Sequence, residues 1–155
     1  MSIIITQLIT SMLGSLGFAM IFNLHKKYMI AASLGGMICW VSYLITYFLE
    51  NDVFISALVA SATATLYAEF MARFLKVPTT VIFVSSIVPL IPGSSLYYTM
   101  SHAVSGETEL FSEFGIRTIH YILGITCGIS IIWSIWYMVQ KIMILRLNKN
   151  HGEDI

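Results

Sequence analysis

Five long apolar stretches, separated by short polar connections, run through almost the whole chain. A bilayer core of about 30 Å takes roughly 20 helical residues to cross, and each stretch has that length. The pattern therefore predicts an all-α integral membrane protein with a single membrane domain over residues 1–155. The predicted spans are residues 3–24, 28–49, 53–74, 79–100 and 118–139.

The fourth stretch differs from the others because it contains a helix-breaking element near its middle. Pro89, Pro92 and Gly93 remove two backbone donors and permit unusual backbone conformations. Unwound backbone at this depth is tolerated only where it is buried in protein or lines a watery cavity. We expect a second half-helix to begin near Ser94, and its free N–H groups would attract an anion such as a carboxylate. The predicted binding residues are Pro92, Gly93, Ser94, Ser95 and Tyr98. A simple proline kink, relieved by neighbouring helices, is the alternative.

The third stretch carries a broad face of small residues, which would let another helix approach closely. Its members are Ser56, Ala57, Ala60, Ser61, Ala64, Thr65, Ala68 and Ala72. Similar four-residue spacing occurs at Ser11, Ser15 and Ala19, at Ala31 and Gly35, and at Gly124 and Gly128. We interpret these faces as packing surfaces.

Glu69 and Arg73 are four residues apart on the third span and are expected to meet on one helix face. An ion pair is one interpretation, with Arg73 reaching to the interface. The other is that Glu69 carries a proton in proton-coupled export.

Composition supports the membrane assignment and excludes several classes of function. The chain is 57% apolar and 10% charged, whereas soluble domains have roughly 25% charged residues. A net charge of zero gives no case for a nucleic-acid partner. The two cysteines and four histidines lack the spacing of metal ligands, so we expect no metal and no cofactor. Neither a P-loop nor a nucleophile elbow is present, which argues against a pump or an enzyme.

The first apolar stretch, from Ile3 to Leu24, is too long for the core of a secretory signal. We expect it to remain in the mature protein as a span. The longest connection, Ser101 to Arg117, mixes apolar and acidic residues, and the sequence leaves open whether it is a surface helix or a lid.

Basic residues are distributed unevenly between the two sides of the predicted bundle. With the amino terminus outside, seven of the eight fall on the cytoplasmic side, as the positive-inside rule favours. These are Lys26, Lys27, Arg73, Lys76, Lys141, Arg146 and Lys149, and only Arg117 falls outside. We therefore expect the carboxyl terminus in the cytoplasm and a multi-pass protein of the plasma membrane.

Five spans are an odd number, and a partner of the same plan inserted the other way up would complete an inverted pair. The chain is then half of a transporter. A five-span protein that forms a homo-oligomer is the alternative.

Three segments together resemble the small-subunit half of the threonine/serine exporter (ThrE-type) family, in its YjjB-like branch. They are Gly17 to Asn23, Ala31 to Trp40, and Val88 to Tyr98, and the similarity extends over nearly the whole chain. The resemblance implies an exporter of two polypeptides, in which this subunit pairs with a larger one that has five spans of its own. It also implies small carboxylate substrates, namely threonine and serine or succinate.

Together, these observations predict that the chain is a subunit of a two-component secondary exporter. The substrate carboxylate is expected to bind at the break in the fourth span. Asn23 belongs to a matching segment and is expected to line the inner mouth, with capping of the loop as the alternative. The rival hypothesis is a non-transporting structural subunit that stabilises a partner transporter.

Overall fold

A computed structural model describes residues 2–152, and the side chains of residues 3–143. Over these residues the chain folds into α-helices joined by short turns, which confirms the all-α fold. The helices are α1 (Ser2–Ile21), α2 (Lys26–Glu50), α3 (Val53–Leu75), α4 (Thr79–Ile87), α5 (Gly93–Ser105) and α6 (Thr108–Gly152), with a 3-10 turn at Val88–Leu90 between α4 and α5.

Within the described part of the chain, four helices are long and apolar enough to cross a membrane: α1, α2, α3 and α6. The bent pair made by α4 with its 3-10 turn and by α5 counts as a fifth span if it is taken as one unit. The five predicted spans therefore correspond to these elements, with helix ends that differ from the predicted ones by a few residues in the first three spans. Short connections make consecutive spans antiparallel.

Local residue chemistry explains where the helices end. Asn51 and Lys76 adopt left-handed backbone conformations after α2 and α3, and each donates its N–H back to a carbonyl of the last turn. Asp52 then begins α3, because its side chain accepts a hydrogen bond from the N–H of Ile55 at 2.9 Å.

The two ends of the bundle differ in charge. We call one the basic end, since the α1–α2 and α3–α4 turns there carry Lys26, Lys27 and Lys76. The opposite, acidic end holds the α2–α3 and α5–α6 turns, with Glu50, Asp52 and Glu107.

Helix α3 lies at the centre of the bundle and packs against α2, α4 and α6. The eight members of its predicted small-residue face are all buried. Helix α6 comes closest, because a Cβ placed on Gly124 would lie 2.6 Å from the carbonyl oxygen of Phe54. Gly128 is equally tight against Leu58 and Ser61. The small residues therefore form packing surfaces, as the spacing predicted.

The segment from Ser101 to Arg117 is a correction to the sequence-based picture, because the long connection expected there is not found. Helix α5 continues to Ser105 and α6 begins at Thr108, so that the connection is only Gly106 and Glu107. Gly106 has a φ of 74°, a conformation that glycine adopts at little cost, and its N–H closes α5 onto the carbonyl of His102. Helices continue beyond the apolar stretch here because the stop signal is this glycine and not the change in hydropathy.

Candidate functional site

The break in the fourth span has the form that its prolines require. Ile91 is extended (φ −63°, ψ 122°), as is favoured for a residue that precedes a proline. Pro92 then precedes the first turn of α5, and the two arms of the span differ in direction by 52°. Leu90 anchors the break, since its side chain is 1% exposed and packs in the core with Cys39 and Tyr43.

The first turn of α5 presents unpaired donors. Gly93 donates its N–H to the Ile91 carbonyl at 2.8 Å, and Leu96 donates to the Pro92 carbonyl at 3.0 Å. The N–H groups of Ser94 and Ser95 between them have no hydrogen-bond partner among the described residues. Pro92 provides no side-chain cap. The positive end of the helix dipole is therefore open to an anion.

Ser95 adds a second, independent donor at the same place. Ser95 is 7% exposed, and its hydroxyl has no hydrogen-bond partner among the described residues, although its carbonyl accepts from the Thr99 hydroxyl. Since Ser95 borders a cavity, the hydroxyl is available to a ligand.

A cavity of about 490 Å³, which we call the α5 cavity, opens directly in front of this first turn. It is large enough for a small metabolite. Its lining comes from the break, α2, α5 and α6, and consists of Trp40, Pro89, Leu90, Ile91, Pro92, Gly93, Ser94, Ser95, Tyr98, Phe114, Arg117 and Tyr121.

Arg117 is the one charged side chain among the described residues that line the α5 cavity. It forms no hydrogen bond and no ion pair with any described residue. A charge in a membrane protein normally has a partner. An unpaired guanidinium beside an open helix amino terminus gives the cavity a positive potential and the geometry for bidentate binding of a carboxylate.

Aromatic contacts fix the walls of the α5 cavity. The hydroxyl groups of Tyr43 and Tyr121 are hydrogen-bonded to each other and their rings stack, with centroids 5.7 Å apart. On the other side Tyr98 packs against Phe114 at 5.2 Å, and this contact joins α5 to α6. Trp40 borders the cavity, and its Nε1 is buried without a hydrogen-bond partner.

The structure brings together Pro92, Gly93, Ser94, Ser95 and Tyr98 of the predicted set, which all line the α5 cavity. It does not bring Asn23 there. Asn23 lies in the α1–α2 turn at the basic end, with a φ of 52°, and donates its N–H to the Met20 carbonyl at 2.9 Å. That geometry fits the capping alternative.

Glu69 and Arg73 do not form an ion pair within 4.0 Å. The guanidinium carbon of Arg73 lies 4.4 Å from the ring centroid of Trp136. With the Gln140 amide oriented so that its oxygen faces the nearby donors, that oxygen accepts from Arg73 Nη2 at 2.6 Å and from Trp136 Nε1 at 2.8 Å. Arg73 therefore has partners on α6 and leaves Glu69 without one.

Pro89, Leu90 and Ile91 of the break also line the α5 cavity, and outside the fourth span sequence reasoning missed four lining residues, namely Trp40, Phe114, Arg117 and Tyr121. A signal for Arg117 was present, because it is the one basic residue that the predicted orientation places on the outer side. The aromatic residues gave no such signal, since aromatic side chains in a membrane helix are equally suited to lipid contact.

Comparison with known proteins gives one family. The sequence model described as "Threonine/Serine exporter, ThrE" matches residues 7–135, which include every residue that lines the α5 cavity. No curated protein and no solved structure matches the chain.

Proposed function

Because the chain belongs to the threonine/serine exporter family, we propose that it is the smaller subunit of a two-component secondary exporter. It is a multi-pass membrane protein and a component of an export system. The substrate is a small metabolite with a carboxylate group, such as threonine, serine or succinate.

One observation carries the proposal: three kinds of unpaired donor converge on the α5 cavity. These are the backbone N–H groups of Ser94 and Ser95, the hydroxyl of Ser95, and the guanidinium of Arg117. A carboxylate has two oxygens with about four lone-pair sites, and it can accept from all three donors at once. No acidic side chain is among the described lining residues, so a carboxylate meets no like charge there.

Alternating access requires a second half, and we assign it to a larger subunit with five spans of its own, inserted the other way up. Inverted repeats of this kind place the substrate at their interface, near broken helices. The α5 cavity is only partly enclosed, so a partner helix can complete it. The YjjB-like character of this subunit and the position of its carboxyl terminus in the cytoplasm belong to the same proposal.

The test is export of labelled threonine, serine and succinate from cells that express this chain alone, and then together with the larger family subunit. We expect export only when both are present. Gly93→Leu, which places a large side chain in the cavity, should abolish export at normal expression and membrane insertion. Unchanged export by Gly93→Leu would contradict the site.

A purely structural subunit is the rival function, and substrate protection distinguishes it. Single cysteines placed at Ser94 and at Leu96, in a chain without Cys39 and Cys127, are labelled with a thiol reagent in the presence and absence of substrate. Substrate should slow labelling at position 94, which lines the cavity, more than at position 96, which does not. Equal labelling rates with and without substrate at both positions would favour the structural subunit.

A further inference from the structure

A second cavity, of about 350 Å³, lies towards the basic end of the bundle, where α3, α4 and α6 meet. We call it the Glu69 cavity. Its lining residues are Glu69, Thr79, Trp133, Trp136, Tyr137 and Gln140. None of them lines the α5 cavity.

Glu69 is the chemically unusual member of this set. Its side chain is 8% exposed, and it has neither a hydrogen bond nor an ion pair with any described residue. A carboxylate that is removed from water needs a proton or a cation to compensate for lost solvation. The described chain supplies no cation within ion-pair distance, so the carboxylate is available to a cation that enters the cavity.

Contacts to α6 keep Arg73 from acting as the counter-ion of Glu69. Its guanidinium stacks on Trp136 and donates to the side-chain oxygen of Gln140. An isolated helix favours the Glu69–Arg73 pair, because residues four apart face each other. The contacts to α6 replace that pair and leave the carboxylate open.

The walls around Glu69 are aromatic and well supported. Trp133 packs against Phe83 with ring centroids 5.5 Å apart, and Trp136 packs against Phe70 at 5.8 Å. Tyr137 completes the aromatic part of the lining. Aromatic faces next to a carboxylate bind organic ammonium groups, because the ring quadrupole and the carboxylate charge attract the same cation.

We propose that the Glu69 cavity binds the ammonium group of the exported amino acid, as a subsite separate from the α5 cavity. This inference rests on the proposed function for its substrate class. Tyr121 of the α5 cavity and Trp133 of the Glu69 cavity are twelve residues apart on α6, which corresponds to about 18 Å along the helix. One small amino acid cannot fill both cavities, so the two cavities bind it one after the other. The Glu69 cavity recognises the ammonium group at the basic end, and the α5 cavity recognises the carboxylate near the break.

The positions of the three tryptophans allow each cavity to be observed by itself. Trp40 borders the α5 cavity, whereas Trp133 and Trp136 border the Glu69 cavity. In Trp40→Phe the emission comes from the Glu69 cavity, and in the double variant Trp133→Phe, Trp136→Phe it comes from the α5 cavity. The probes are ethanolamine, which has an ammonium group and no carboxylate, and succinate, which has carboxylates and no ammonium group.

Ethanolamine should change the emission of the purified full-length Trp40→Phe protein in a saturable way. Adding Glu69→Gln should weaken this binding at least about tenfold, because the charge-assisted contact is lost. Glu109→Gln, which changes an exposed carboxylate on the first turn of α6, is the matched control and should leave the affinity unchanged. Circular dichroism and gel filtration of each variant check the fold.

Three outcomes would overturn the proposal. They are the absence of a saturable response to ethanolamine, a response that Glu69→Gln leaves intact, and a response that disappears when the larger subunit is bound. The second would mean that the aromatic walls bind ethanolamine without Glu69, and the third would assign the cavity to a basic side chain of the partner. Succinate binding to the double variant, and its loss in Arg117→Gln, tests the carboxylate site separately, so the two proposals fail independently.

Discussion

The seam between α3 and α6 and the α5 cavity are neighbours on the same helix, and they are built in opposite ways. In the seam, Gly124 and Gly128 let the backbones of the two helices touch, and no space remains. One turn and two turns before the seam, Tyr121 and Arg117 border a cavity in which donors remain unpaired. Close packing fixes α6 at the seam, so that the polar groups next to it can stay without partners and still hold their positions.

Four substitutions test this contrast, and the largest effect is expected in the seam. Gly124→Leu adds a side chain whose Cβ alone would lie 2.6 Å from the Phe54 carbonyl oxygen and 2.9 Å from Ala57 Cβ. Backbone atoms cannot move aside as a flexible side chain can, so we expect the free energy of unfolding to fall by about 3 kcal/mol or more. Unfolding in mixed micelles measures it. Gly14→Leu on α1, where a Cβ meets nothing within 4 Å, is the control. Equal effects of both variants would mean that the seam is not tight.

The second-largest effect is expected on substrate binding in the α5 cavity. Arg117→Gln removes the guanidinium and should lower the affinity for succinate by about 10- to 100-fold, since a charged hydrogen bond is lost. The unfolding free energy should not decrease, because Arg117 has no hydrogen bond or ion pair within the described chain. Titration calorimetry on the purified complex gives the affinity. If Arg117→Lys binds succinate more weakly than the unchanged protein but more strongly than Arg117→Gln, the positive charge matters more than the planar shape of the guanidinium. A variant that binds normally but unfolds early would assign Arg117 to packing.

A smaller effect is expected at the boundary between the two regions. Tyr43→Phe removes the hydroxyl that is hydrogen-bonded to Tyr121, and the ring remains to stack on its neighbours. We expect a loss of about 1 kcal/mol in unfolding free energy and a change in substrate affinity that is smaller than that of Arg117→Gln. Tyr47→Phe is the matched control, since no hydrogen bond of its hydroxyl is recorded in the described chain. A larger loss for Tyr47→Phe would be inconsistent with this structure.

The smallest effect is expected for Gly93→Ala. A Cβ at this position meets no atom within 4 Å, and its backbone φ is not in the left-handed region. The unfolding free energy should therefore change by no more than about 0.5 kcal/mol. The same measurement in micelles applies. A loss as large as that of Gly124→Leu would mean that position 93 is packed rather than open.

Much of the fold could be predicted because the bilayer sets the helix length and small residues mark the helix contacts. The face from Ser56 to Ala72 and the Gly124–Gly128 pair follow directly from spacing. The break at Pro89 to Gly93 was equally clear, since prolines have no N–H. Helix ends were less predictable beyond the apolar stretch, where Gly106 and not hydropathy stops α5.

The candidate site could be predicted only in part, because a cavity depends on contacts between distant segments. Residues of α5 were identified from their own sequence. Arg117 enters only because the turn at Gly106 folds α6 back against α5. Arg73 shows the reverse case. Its spacing on α3 predicts an ion pair with Glu69, but its guanidinium packs on the ring of Trp136, which is 63 residues further along the chain.

The attachment of α5 has a mechanical consequence. Among the described elements it packs substantially against α6 alone, and the break joins it to α4. Helix α5 is thus a lever about 20 Å long with its pivot at Pro92. A rotation of about 10° about that pivot would move the far end, at Ser105, by about 3 Å, and the first turn by far less. Leverage of this kind amplifies small changes at the pivot into large displacements at the acidic end, while the N–H groups of Ser94 and Ser95 keep their place.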